Sequence, residues 1–288
     1  MNNHPATYTL VISCPDQRGI VSAVSRFIAD HQGSIVEADY HTDRELNWFF
    51  MRQEILAESL SFTHLDEFKE KFKETAKKFK MEWKISSSAQ KKRTVILVSQ
   101  EDHCLADLLY RWRAQEFDFD IVAVVSNHET TKSFVEWHHI PFHHIPVSKE
   151  NKSAAFGEIE ALFKKYRGDV MVLARFMQIV PADLCERLAG RIINIHHSFL
   201  PSFVGGKPYH RAYERGVKLI GATCHYATAV LDEGPIIEQD VIRVDHSHSI
   251  PDMIRLGKDV EKMVLARGLR YHVEDRVIVH QNKTIVFK

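Results

Sequence analysis

Two rhythms of apolar positions divide the chain. In the first part, short blocks alternate between strand-like and helix-like spacing. Thr7 to Cys14, Ser34 to Thr42, Leu46 to Leu56 and Met81 to Ser86 read as strands. Ile20, Val24, Phe27 and Ile28 fall at helical spacing between Ile20 and His31. His64 to Phe79 reads as a charged amphipathic helix whose apolar side is Leu65, Phe68, Phe72 and Phe79. The order βαββαβ predicts a small ferredoxin-like domain over residues 1–86. Residues 87–93 are small, polar and charged, the composition of a linker.

From residue 94 the rhythm changes. Thr94 to Ser99, Ile121 to Ser126 and Asp169 to Ala174 are continuous apolar runs, as parallel strands buried on both faces require. Helical stretches separate them: His103 to Gln115, Thr130 to His139, Ala154 to Tyr166 and Ala182 to Leu188. Residues 94–288 therefore predict an α/β domain of Rossmann-like form with a mostly parallel sheet, its site beyond the strand carboxyl ends. Ser249-Ile-Pro-Asp marks a capped entry to a long helix reaching about Tyr271. Arg276 to His280 and Thr284 to Phe287 read as a hairpin expected to close the edge of the sheet.

The densest chemistry follows the strand at Arg191 to Ile195. Asn194 and His196 project from one side of that strand, because alternate residues share a face. Pro201 stops regular pairing, and Gly205-Gly206 allows a sharp turn. A second strand, Lys218 to Tyr226, brings in Thr223 and His225, and Asp232 follows in a bend, Leu-Asp-Glu-Gly-Pro. An amide and an imidazolium can stabilise the oxyanion formed when water or an amine attacks a carbonyl. A carboxylate can orient that nucleophile and take its proton. No Gly-x-Ser-x-Gly is present, which points to direct rather than covalent transfer. Each residue alone reads better as a turn former or a partner for loop backbone. Gathered in one stretch, they read as catalytic.

Composition narrows the partners. Lys plus Arg and Asp plus Glu balance at 38 each, so neither nucleic acid nor an anionic membrane is expected as partner. The cysteines Cys14, Cys104, Cys185 and Cys224 are scattered, which reads as a reduced, cytoplasmic protein without a disulfide framework. The first residues lack a signal-peptide pattern, and no apolar run is long enough for a membrane span. The 18 histidines include the pairs His138-His139, His143-His144 and His196-His197. Neighbours on a strand point apart, so no metal site is expected from them.

The pieces Asn194-Ile195-His196, Ser198-Phe199-Leu200-Pro201-Ser202-Phe203, Gly221-Ala222-Thr223-Cys224-His225 and Asp232-Glu233-Gly234-Pro235 closely resemble the folate-dependent formyltransferase family. The resemblance implies Asn194 as oxyanion donor, His196 as general acid and Asp232 as base or water-positioner, with His225 in support. It also implies that folate is held by Phe176, Met177, Gln178, Ile179 and Val180, and by Ala229, Val230 and Leu231. No cofactor is implied, since 10-formyltetrahydrofolate is the substrate. The first half, with its Asp16-Gln17-Arg18-Gly19-Ile20 turn, resembles an ACT domain. That implies either a free amino acid, methionine or glycine, bound at Asp16, Arg18, Gly19 and Ile20, or a module for homo-oligomers without ligand.

Members of this family differ in acceptor. A phosphorylated amine commonly calls for a glycine-containing loop after the first strand of the formyltransferase domain. Here that loop is Ser99-Gln-Glu-Asp-His-Cys104, with no glycine and two carboxylates, Glu101 and Asp102, that oppose a phosphate. The neutral charge disfavours a transfer RNA acceptor. If no amine is held at the site, water is the remaining acceptor. The resemblance of nearly the whole chain, an ACT-like half joined to a formyltransferase-like half, implies hydrolysis to formate and tetrahydrofolate, supplying formate for purine synthesis and balancing one-carbon pools. The alternatives are transfer to a non-phosphorylated amine and an inactive folate-sensing module.

Overall fold

The computed structural model describes residues 5–62, 64–202 and 208–288. Phe203 and the Gly205-Gly206 turn lie outside the described residues. The chain separates into two compact units, one of residues 1–91 with 275–278 and 285–288, the other of 92–274 with 279–284.

The first unit runs β1 (Thr7–Pro15), α1 (Ile20–Asp30), β2 (Ile35–Asp43), β3 (Trp48–Leu56), α2 (Leu65–Lys78) and β4 (Glu82–Ser87). Its sheet order is β2-β3-β1-β4 and every pairing is antiparallel. This is the expected βαββαβ arrangement. The helices bury the residues their spacing announced: Ile20, Val24, Phe27 and Ile28 from α1, Phe68 and Phe72 from α2. They pack on Leu10, Ile12, Met51 and Ile55 from one sheet face. Val11 and Phe50, on the opposite face, pack with Ile278 and Phe287.

The second unit continues β5 (Lys92–Val98), α3 (His103–Arg113), β6 (Phe119–Ser126), α4 (Lys132–Trp137), β7 (Phe142–His144), α5 (Lys152–Lys165), β8 (Val170–Leu173), α6 (Ala182–Arg187) and β9 (Ile192–His196). Then come α7 (Pro208–Arg215), β10 (Leu219–Tyr226), β11 (Ile236–Arg243) and α8 (Ile250–Val273). Seven strands form one sheet in the order β11-β10-β9-β8-β5-β6-β7. Pairings from β9 through β8, β5 and β6 to β7 are parallel, while β10 and β11 run antiparallel. The sheet is therefore mostly parallel, as the continuous apolar runs required. Ser249 caps α8 in a capping box with Asp252, and Pro251 enters in its first turn.

Two expectations are corrected. The hairpin β12 (Val277–His280) and β13 (Lys283–Val286) is a separate two-stranded sheet and does not extend the large one. It meets the start of β11 through side chains, Asn282 Nδ2 donating to the Glu233 carbonyl and Thr284 Oγ1 to the Ile236 carbonyl, so no backbone ladder forms. The segment 87–93 also gives its ends to β4 and β5, leaving residues 88–91 between them.

Candidate active site

β9 lies between β8 and β10, and its carboxyl end delivers Asn194 and His196 to a cavity of about 270 Å³. Asn194 is the half-buried polar position in an otherwise buried strand. The antiparallel register with β10 sets His225 directly opposite Asn194, and Thr223 opposite His196. Between Cys224 and His225 the β10–β11 ladder skips Ile237, an irregularity of the kind that re-aims a side chain beside a site. Thr223 does not line the cavity. It accepts from Leu200 N at 3.0 Å and donates to the Ser198 carbonyl at 2.9 Å, tying down the loop after His196.

Asp232 arrives on the loop that joins β10 to β11. The loop closes through Tyr226 N donating to the Pro235 carbonyl at 3.0 Å. That closure needs Gly234, because a Cβ there would stand 1.7 Å from the Tyr226 carbonyl oxygen. Asp232 itself has φ 59°, a left-handed conformation costly for a side-chain-bearing residue and common where geometry serves function.

The four groups meet. Asp232 Oδ1 lies 3.2 Å from His196 Nδ1 and 3.9 Å from His225 Nε2. Burial alone pushes the Asp232 carboxyl up. The His196 hydrogen bond and the neighbouring imidazoles outweigh it, and the group ends below its ordinary range. Asp232 is therefore an ionised carboxylate at neutral pH. His225 Nδ1 faces the Tyr226 carbonyl at 2.9 Å, so it carries the proton and leaves Nε2 to accept from Asn194 Nδ2 at 3.1 Å. Burial lowers the His225 pKa, which keeps this neutral tautomer. The Asn194 amide keeps a second N–H for another partner. His196 Nε2 is buried and has no hydrogen-bond partner among the described residues.

The remaining cavity wall contains most of the residues expected for folate: Phe176, Met177, Gln178, Ile179, Val180, Val230 and Leu231. Phe176 turns into the core with Phe156, whereas Met177, Ile179, Val230 and Leu231 are each more than half exposed. Ser99 Oγ accepts from Met177 N at 3.0 Å, anchoring that segment to the end of β5. Ala229 is not in this wall; it lines an adjoining recess with Thr228 and Tyr226. In the first unit, Gly19 has φ 93° and opens α1, Arg18 is exposed, Asp16 is half-buried, and the Ile20 side chain belongs to the core.

Among the wall residues that sequence reasoning did not assign are the basic side chains Arg175 and His197; it also missed a buried Glu261 on α8 that pairs with Arg175. A signal existed for the last. Glu261 falls in phase with the buried stripe Met253, Gly257, Val260, Val264 and Leu265, where a carboxylate requires partners. His103, Cys104 and Glu261 bring their ligand atoms within 4.8 Å of one another. Glu261 already accepts from His103 and Tyr209, and burial pushes the Cys104 thiol well up, so this donor set suits a cation poorly.

A family profile described as formyl transferase matches residues 92–269. The chain is 47% identical to formyltetrahydrofolate deformylase of Synechocystis sp. over 98% of each chain. It is similar to the crystal structure of a formyltetrahydrofolate deformylase from Pseudomonas syringae pv. tomato, with TM-score 0.97, 58% identity and coverage of 100% of this chain and 96% of that one. A glycinamide ribonucleotide transformylase from Symbiobacterium toebii matches 69% of this chain and 95% of its own, with TM-score 0.65 and 25% identity.

Proposed function

The chain belongs to the formyl transferase family and, within it, to the formyltetrahydrofolate deformylases, and we propose that its cavity hydrolyses 10-formyltetrahydrofolate to formate and tetrahydrofolate. One observation carries the assignment of residues. His196 faces an ionised Asp232 through Nδ1 and leaves its buried Nε2 without a hydrogen-bond partner among the described residues, in a cavity that also holds Asn194.

Asp232 positions water and takes its proton as the oxygen bonds to the formyl carbon. The carbonyl oxygen becomes an oxyanion, which accepts from the second Asn194 N–H and from His196 Nε2–H. On collapse the carbon–N10 bond breaks, His196 protonates N10, and formate leaves. His225 positions Asn194 and takes no proton in this scheme. The exposed Met177, Ile179, Val230 and Leu231 supply apolar surface for the folate ring system, with backbone groups of 176–180 and 230–231 reading its edges. No cofactor enters the reaction. Mixing the protein with 10-formyltetrahydrofolate, without any amine, tests the reading by release of formate. Formate so made would supply purine synthesis and balance one-carbon pools.

The first unit is read as ACT-like, its βαββαβ order and the left-handed Gly19 turn supporting an amino-acid site at Asp16, Arg18, Gly19 and Ile20. Methionine or glycine is the proposed effector. Strand β2, paired on one side only with β3 among the described residues and with Val36 and Tyr40 exposed, supports homo-oligomer formation. The four free, buried cysteines accord with a cytoplasmic protein. Adding either amino acid should change turnover; unchanged turnover and unchanged melting with both would remove the effector site.

A further inference from the structure

Among the described residues, Arg175 is the wall residue of the catalytic cavity that pairs with a second buried ionic group. Glu261, 1% exposed in the middle of α8, accepts from Tyr209 Oη at 2.6 Å and faces His103 Nε2 at 2.8 Å. Arg175 Nε stands 3.4 Å from its Oε2, an ion pair without hydrogen-bond alignment. Gly257, one turn earlier on α8, clears the way for Tyr209, since a Cβ there would lie 2.0 Å from the Tyr209 hydroxyl. Burial pushes the Glu261 carboxyl up, but the His103 bond and the Arg175 charge outweigh it and keep it ionised.

The same group restrains the loop after β5. His103 begins α3, and Glu101 of that loop is paired with Lys258 of α8, so the loop is tied to α8 at two points. The expectation for this loop, that Glu101 and Asp102 oppose a phosphorylated acceptor, does not bear on an amine without phosphate, and Glu101 is itself paired with Lys258.

Arg175 does bear on such an amine. Its backbone holds φ 62°, and its Nε and Nη1 are buried without hydrogen-bond partners among the described residues. Its guanidinium is a positive charge on the cavity wall. That charge reaches the catalytic wall: His197, next to His196, is pushed down to about 4 by burial first and by Arg175 second.

Building on the hydrolytic reading, we propose that Arg175, held by Glu261, is the specificity determinant that keeps amine acceptors from the formyl group. An amine reaches the enzyme mostly as an ammonium ion. Asp232 alone would attract such an ion. Arg175, on the same wall, repels it. Water is neutral and passes. Were an amine admitted, the ammonium ion would first release one proton to solvent; its nitrogen, now neutral, would bond to the formyl carbon and lose a second proton to Asp232. The carbon–N10 bond would break and N10 would take a proton from His196, giving a formylated amine and tetrahydrofolate. Both outcomes use the same machinery, so admission of the acceptor decides between them.

The test compares the full-length wild type with Arg175→Gly, Arg175→Gln and Arg175→Lys, each given 10-formyltetrahydrofolate with and without glycinamide. Formate and formylglycinamide are quantified by mass spectrometry, and folding is checked by melting temperature. Glycine suits the left-handed backbone at this position, and glutamine keeps bulk without charge. Wild type and Arg175→Lys should release formate alone. Arg175→Gly and Arg175→Gln should raise the formylated fraction at least about tenfold, equivalent to about 1.4 kcal/mol. If glycine prevents folding, the glutamine variant decides. A folded variant lacking the charge but partitioning like wild type overturns the proposal, as does a lysine variant that formylates as readily as glycine. Failure of the hydrolytic reading would look different: the wild type itself would transfer formyl to glycinamide.

Discussion

Asn194 Nδ2 donates to His225 Nε2 across 3.1 Å, and the backbone register that pairs these two residues on β9 and β10 makes the contact direct. The Tyr226 carbonyl fixes the proton on His225 Nδ1, so the ring presents only an acceptor to Asn194. His225→Phe keeps a ring in place and removes that acceptor. Turnover should fall about tenfold to a hundredfold, part of the hundred- to thousandfold loss typical of deleting an oxyanion donor. KM should change little. A variant with wild-type kcat would show that Asn194 needs no such positioning.

Asp232→Asn retains size and removes the base. Turnover should drop by about two to four orders of magnitude, with folate binding nearly unchanged. More than a third of wild-type turnover in the variant would reject the role. The carboxyl is depressed below its ordinary value of 3.8, so the ionised base persists above that and is lost only as pH falls through the lower folded value. The kcat profile from about pH 5 to 8 should therefore contain no acid limb due to Asp232.

His197 makes stability depend on pH, because burial favours its neutral form in the folded chain. Its folded pKa is about 4 against an ordinary 6.5, so between those values the unfolded chain binds the extra proton. Stability should rise with pH across that window, by up to about 3 kcal/mol for a shift of this size. His197→Gln should flatten the rise, as read by urea unfolding at several pH values. An identical slope in the variant would assign the dependence to other groups.

The helices and central strands were legible in the sequence because their burial is one-sided or complete. Ile20, Val24, Phe27 and Ile28 are the buried residues of α1, and they were visible as spacing alone. β7, α7 and β11 were not visible. β7 is three residues long with two histidines, α7 buries only Pro208, Tyr209 and Ala212, and β11 is an edge strand carrying charges. Asn194, His196, His225 and Asp232 could be picked out because polar groups followed apolar strands. Arg175 and Glu261 could not be paired from sequence, since 86 positions separate them and only the fold brings α8 to the end of β8.

Gly234→Ala tests the loop that carries Asp232. The added Cβ would meet the Tyr226 carbonyl 1.7 Å away, so the loop must move. A displacement of about 1 Å can cost a hundredfold in rate, and a loss of that order is expected in kcat with the overall fold preserved by circular dichroism. Unimpaired turnover would mean that the loop tolerates the shift and that its close approach is incidental.

The central claim is that water, held by Asp232 beside Asn194 and His196, attacks the formyl carbon. A single turnover of 10-formyltetrahydrofolate in heavy-oxygen water, with no amine present, measures this directly. Formate should appear in an amount equal to the tetrahydrofolate formed and should carry a single oxygen from the solvent. Formate without solvent oxygen, or no formate until an amine is added and recovered as its formyl derivative, would contradict the account.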